Sequence, residues 1–240
     1  MHLILIFTIS VTFVEIIYSF RTRFSFYSID NTRKKCAINP YEFDPAVISA
    51  MRSAARMGDA EKLRALTSNW SHHPILNDKV GDMMGLTLLH WAVAAGQSTK
   101  RIECLRILLD AGSNIEALNN AGNTPLHYAA ATGKDECTSY LIERGANVDT
   151  KSVTSFDQTP LHFAASRGYI DCGIVLISKG ASINLVDKNG DTALHLSNRF
   201  GKSDFTDLLL ANGADKSIKN LDGKLPLEVA PLTVVNESYE

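Results

Sequence analysis

The sequence predicts a mainly α-helical chain built as a linear stack of helix–turn–helix units, and three observations carry that prediction. A Thr-Pro-Leu-His tetrapeptide stands intact at Thr124–His127 and Thr159–His162, nearly so at Thr87–His90 and Thr192–His195, and worn at Leu225–Glu228. Its copies follow one another at 37, 35, 33 and 33 residues. Glycines recur in phase with it, at Gly96, Gly133, Gly168 and Gly201, then at Gly112, Gly145, Gly180 and Gly213. A unit of this length is too short to close a core alone, so each must bury its apolar face against the next.

The elements of a unit follow from its residue chemistry. Thr suits the helix N-cap, Pro the first helical position where its missing donor is harmless, and the His after them has a ring nitrogen for further capping. A glycine six residues beyond each His predicts the end of a two-turn helix through a left-handed residue. A second helix follows, with paired apolar residues at Leu108-Leu109, Leu141-Ile142, Leu176-Ile177 and Leu209-Leu210, and it ends at the second glycine. Polar segments such as Leu118–Gly122 and Val186–Gly190 carry turn chemistry just before the next Thr, which predicts a hairpin-like finger between units.

These residues resemble the ankyrin repeat, whose pattern of G-x-T-P-L-H-x-A-A, then paired leucines, then G-A-D-V-N is recognisable from Ser49 to Leu232. The resemblance implies L-shaped layers, with helices upright and β-hairpin fingers projecting sideways, stacked into a curved solenoid with a concave face. The domain reading is a hydrophobic segment and basic linker over 1–35, a linker over 36–48, the repeat domain over 49–235 and a tail over 236–240. Within the domain lie a degenerate N-cap (49–86), repeats 87–123, 124–158, 159–191 and 192–224, and a partial repeat 225–235.

A net charge of −2 and a pI near 6.4 give no electrostatic footprint for nucleic acid. Cys104, Cys137 and Cys172 share one phase of the repeat once a four-residue insertion is removed. Stacked helices lie about 8–10 Å apart, beyond the roughly 7 Å that a disulfide tolerates between Cα atoms. They are expected as core thiols of a reducing compartment.

Leu3 to Phe20 is almost wholly apolar, broken by Glu15, and is followed by Arg21, Arg23, Arg33, Lys34 and Lys35. It meets the rules for a signal peptide or a membrane anchor only in part, and an unrepresentative start, with translation beginning at Met51, is the third reading. An anchor would hold the repeats on the cytoplasmic side; cleavage would send them out of the cell.

Candidates for chemistry dissolve into the repeat. His90, His127, His162 and His195 are capping residues, and His72-His73 lacks partners for a metal site. Trp91, Tyr128, Phe163 and Leu196 each follow a His and are expected in the core. No phosphate loop or nucleophile elbow is present, so no enzyme activity, metal or cofactor is expected. The chain is expected to be a monomer.

The resemblance places the fourth and fifth residues after each His on the concave face: Arg56-Met57 in the leading unit, then Ala94-Ala95, Ala131-Thr132, Ser166-Arg167 and Arg199-Phe200. A trough of small residues flanked by arginines suits a partner's backbone or helix and its carboxylates. Two insertions are further candidates: Lys151–Phe156, which leaves Val153 and Phe156 near a projecting tip, and Gln97–Arg101, read as a lengthened turn between helices. The segment 68–84 is read as a loop. The family's hairpin Asn, a substrate of an Asn hydroxylase in many ankyrin proteins, aligns with Asn184. The resulting expectation is a protein-binding adaptor. The alternatives are an assembly chaperone, from a likeness of Thr87–Trp91 and Leu225–Ala230 to ankyrin-type proteasome assembly chaperones, or a secreted or membrane-tethered effector.

Overall fold

The computed structural model describes residues 45–229 apart from His72, residues 80–82, Gln97 and Ser155. The chain divides into two units, Met1–Glu42, which lies outside the described residues, and Phe43–Glu240. Ten helices are described in the second. First helices are α1 (Pro45–Met57), α3 (Leu88–Ala94), α5 (Pro125–Ala131), α7 (Pro160–Arg167) and α9 (Ala193–Arg199). Second helices are α2 (Ala60–Thr67), α4 (Ser98–Asp110), α6 (Asp135–Glu143), α8 (Ile170–Ser178) and α10 (Ser203–Ala211). First helices pack on first helices and second on second, making the two layers of the stack.

The core runs between those layers. Met51, Ala54, Ala55 and Leu63 of the leading unit share one buried cluster with Leu88, Leu89, Leu105, Leu108, Leu126 and Leu141. A second cluster joins Leu161, Cys172, Leu176, Leu194, Phe205 and Leu209. The leading unit is therefore a packed layer, and its first helix begins at Pro45, inside the stretch read as linker. Asp44-Pro45 carries the cap-then-proline signal that marks such a start.

Two turns differ from expectation. Gly133, Gly168 and Gly201 are left-handed, but Gly96 is not. The four inserted residues do not lengthen a loop. They extend α4 to 13 residues, against 9 in α6, α8 and α10, which is close to one helical turn of 3.6 and keeps Cys104 in phase with Cys137 and Cys172. The segment 68–84 holds a 3₁₀ turn, Pro74–Asn77, whose Ile75 and Leu76 are buried in the core, with His73 Nδ1 accepting from Ile75 N–H.

The fingers are tight turns, and no strand is described. Asn119, Asp187 and Asn220 N–H each close a finger on the carbonyl four residues on, at 2.9–3.0 Å. One residue of each finger donates to the finger before it: Asn120 to Met84, Val153 to Gly122, Lys188 to Phe156 and Leu221 to Asn189, at 2.8–3.0 Å. Gly122, Gly190 and Gly223 N–H donate back to the carbonyls of Asn119, Asp187 and Asn220 at 2.9–3.1 Å, so each finger is closed as a turn while the pairing propagates from unit to unit.

Candidate functional site

The first helices are aimed by the repeat histidines. In each copy the Thr backbone N–H donates to His Nδ1, at 3.1–3.3 Å. A backbone N–H can only donate, so Nδ1 is unprotonated and the ring proton sits on Nε2. Nε2 then donates to the carbonyl just before the next copy: His90 to Asn123, His127 to Gln158, His162 to Asp191 and His195 to Lys224, at 3.0–3.2 Å. The histidines are therefore inter-repeat staples as well as caps. Burial pushes the His127 imidazole down to about 4 and lowers His162 in the same direction. In the worn copy Glu228 replaces His, its carboxylate accepting from Leu225 N–H at 2.9 Å.

The staples set out a row of rings. Tyr128 stands edge-on to His90 and Phe163 edge-on to His127, with centroids 5.9 and 5.6 Å apart. Of the four residues expected in the core only Leu196 is buried; Trp91, Tyr128 and Phe163 are half-buried and line the first-helix face. This surface was missed because the position reads as core in the pattern, and only the packing shows how far each ring emerges.

The predicted face residues separate once placed. Ala94, Ala131, Thr132 and Ser166 are half-exposed beside the rings, with the hydroxyls of Thr132 and Ser166 donating to the carbonyls of Tyr128 and Phe163. Arg56, Met57, Arg167 and Phe200 are exposed. Ala95 is buried and presents no side-chain surface. Arg199 is not a free fork: Nη1 lies 2.5 Å from Oδ2 of fully buried Asp191, whose other oxygen accepts from Asn220 Nδ2 at 2.8 Å. Arg56 and Arg167 have no carboxylate partner among the described residues.

The second-helix face is different in kind. Arg64, Glu103, Arg106, Asp110 and Arg144 form a chain of ion pairs across α2, α4 and α6, and Lys179 pairs with Glu143. Such exposed pairs contribute about 0–1 kcal/mol each.

The fingers bring Val153 and Phe156 to an exposed tip. Phe156 and Asp157 adopt left-handed backbone, with φ of 57° and 56°, where a bulky side chain is strained. Met83, Met84 and Leu221 are exposed on other fingers. Asn184 is exposed, and its carboxamide oxygen accepts from Asp215 N–H at 2.9 Å. Glu116, Asp149 and also Asn77 do the same for Asn147, Ser182 and Asn114. Asn77 had no motif around it to reveal the match.

Cys104, Cys137 and Cys172 are buried free thiols, which burial pushes up to about 11; Cys36 lies outside the described residues. Among the described residues no cluster of His, Cys, Asp or Glu is suited to a metal ion, and no helix is long and apolar enough to cross a membrane. Residues 3–20, on which the anchor and signal-peptide readings rest, are not among them.

A family model described as ankyrin repeats (3 copies) matches residues 50–152 and 147–220. The chain is 33% identical to human inversin over 185 residues, covering 77% of this chain and 17% of inversin. It is 36% identical to human B-cell lymphoma 3 protein over 153 residues, covering 62% of this chain and 33% of that one. It is 40% identical to human protein phosphatase 1 regulatory subunit 27 over 65 residues, covering 27% of this chain and 40% of that protein. The aligned part thus spans about a sixth of inversin and a third of the lymphoma protein. The chain belongs to the ankyrin-repeat family.

Proposed function

We propose that this ankyrin-repeat chain is a non-catalytic adaptor that binds a partner protein on its first-helix face, with the finger tips at Val153 and Phe156 as a second contact. The observation that carries this reading is the row of half-buried rings, Trp91, Tyr128 and Phe163, flanked by the small residues Ala94, Ala131 and Ser166 and by Arg56 and Arg167. Aromatic and arginine side chains dominate binding hot spots, and small neighbours let a partner backbone approach them. On the opposite layer Arg64, Arg106, Arg144 and Lys179 are already paired with carboxylates of this chain. Support also comes from a relative named as a phosphatase regulatory subunit, a protein that by its name works alongside another.

The test is affinity capture from cells with the full chain against two variants. Ala131→Arg with Ser166→Arg fills the row, and Val153→Asp with Phe156→Asp charges the finger. Partners retained by the finger variant and lost by the row variant place binding on the first helices. Partners retained by both, with folding confirmed by circular dichroism, refute the proposal.

A further inference from the structure

The ion pairs of the second-helix face give out at α8. The core phase of these helices is set by Cys104, Cys137, Cys172 and Phe205, all buried, and an acid stands one residue before each: Glu103, Glu136, Asp171 and Asp204. In α4 that acid is claimed, because Arg106, two residues after Cys104, turns back to Glu103 while Arg64 reaches it from α2. The places that correspond to Arg106 hold Ile174 in α8 and Asp207 in α10. No lysine or arginine among the described residues pairs with Asp171, Asp204 or Asp207.

Ile174 is 48% exposed, although its counterparts in the other second helices are Arg106, Ser139 and Asp207. It does not stand alone. Ile170, one turn before it on the same face, and Val175, next to it, are half-buried. Half-buried Leu208 of α10 leans toward α8, with its Cδ2 3.0 Å from the place a Cβ on Gly173 would take. Asp171 and Asp204 stand in the first turns of their helices, where the helix dipole favours a carboxylate. The dipole accounts for neither Asp207, nearly a turn further on, nor the exposed isoleucine. The face is thus an apolar strip beside three carboxylates that have no cation of their own.

We propose that this α8–α10 face docks a basic amphipathic helix of a partner protein. The apolar stripe of that helix covers Ile174 and Leu208, and its lysines or arginines pair with Asp171, Asp204 and Asp207. Stacked helices lie about 8–10 Å apart, and Asp204 and Asp207 are about 4.5 Å apart along their axis at 1.5 Å per residue, an area that two turns of a helix cover. The same carboxylates repel nucleic acid and anionic lipid, which leaves a protein segment as the occupant. The site lies on the layer opposite the row of rings. It therefore goes beyond the proposed function and gives the chain a second place to hold a partner, as an adaptor joining two proteins needs.

The experiment uses the full chain and a capped peptide, Lys-Arg-Leu-Leu-Lys-Arg-Leu-Leu-Lys-Arg, with a control carrying Glu at every Lys and Arg, read by isothermal titration. The basic peptide is expected to bind saturably, to perturb the Ile174 methyl resonances, and to weaken as salt is raised. Ile174→Arg, which copies Arg106 and supplies the missing cation, should weaken it by about tenfold or more. Ile174→Ser, which copies Ser139, should weaken it without changing the slope against salt, whereas Asp171→Asn with Asp207→Asn should flatten that slope. Equal binding of the acidic control, or unchanged affinity in an Ile174→Arg chain shown to be folded by circular dichroism, overturns the inference. So does an affinity that rises when residues 1–35 are removed, because the chain's own basic residues would then be the occupant, and so does an Ile174-dependent dimer in sedimentation, because a second copy would be. Ala131→Arg with Ser166→Arg should leave peptide binding intact; loss of binding in that variant alone overturns this inference and leaves the proposed function standing.

Discussion

Acidification from pH 7.5 to 5 should destabilise the stack through its histidine staples, and His127 sets the size of the effect. Its imidazole holds the proton on Nε2, donates it to Gln158, and accepts at Nδ1 from Thr124 N–H. Burial disfavours the charged imidazolium, and a second proton on Nδ1 would also break that acceptance, so the folded chain resists protonation until about pH 4, against 6.5 for a free imidazole. The folded value is the lower one. The unfolded chain therefore gains protons first as pH falls, and stability present above pH 6.5 is lost progressively down to pH 4. At 1.36 kcal/mol per pH unit, with pH 5 lying about 1.5 units below the free imidazole's value, the loss from His127 alone is about 2 kcal/mol at pH 5. His162 adds to it in the same direction. Carboxylates such as Glu103, Glu143 and Asp215 are held below their ordinary range by their partners, so their contribution is lost only at lower pH and does not fill this window. Urea unfolding followed by circular dichroism at steps between pH 7.5 and 5 measures the slope, and His127→Gln should flatten it while lowering stability at pH 7.5. A slope unchanged by His127→Gln, or a stability constant across the window, would refute the staple argument.

Four further outcomes are expected. Gly173 lies inside α8, where a Cβ would come within 2.6 Å of Phe205 Cζ and 3.0 Å of Leu208 Cδ2. Gly173→Ala should therefore lower stability, since overpacking of about 1–3 kcal/mol outweighs a helix gain of about 1, and it should turn stabilising in a Phe205→Val background; the same sign in both backgrounds by denaturant titration counts against the packing. Arg199→Ala should destabilise by up to about 3 kcal/mol because buried Asp191 loses its charge partner, while Arg167→Ala should stay within about 0.5; equal melting temperatures for the two would sink the distinction. Removing residues 1–35 should leave the melting temperature unchanged, whereas removal through Leu66 strips Met51, Ala54, Ala55 and Leu63 from the first core cluster and should lower it; coincident melting curves would show that the leading unit is not a cap. Asn184 should be hydroxylated by an ankyrin-directed Asn hydroxylase, and a mass spectrum with Asn184 unmodified after exposure would end that proposal.

The sequence by itself determined the repeat, because the signals involved are local. Thr, Pro and His at fixed offsets act within one turn, and glycines at the helix ends act through their own φ, so the period and nearly every helix start are legible without tertiary contacts. The three core thiols are legible too, because phase in a helix fixes which side a residue faces. What only the tertiary structure decided are matters between units. Whether four extra residues become loop or helix depends on whether α4 gains by keeping Cys104 in phase. Whether Arg199 is a surface fork or the partner of a buried carboxylate depends on Asp191, which precedes it in the finger and is brought beneath it only by folding. How far Trp91, Tyr128 and Phe163 emerge depends on the neighbouring unit's His, and in one case on its replacement by arginine. A periodic pattern records the position of a residue within its own unit; the side-chain environment across the next unit is set by packing, and on this chain that packing sets which side chains the first helices present.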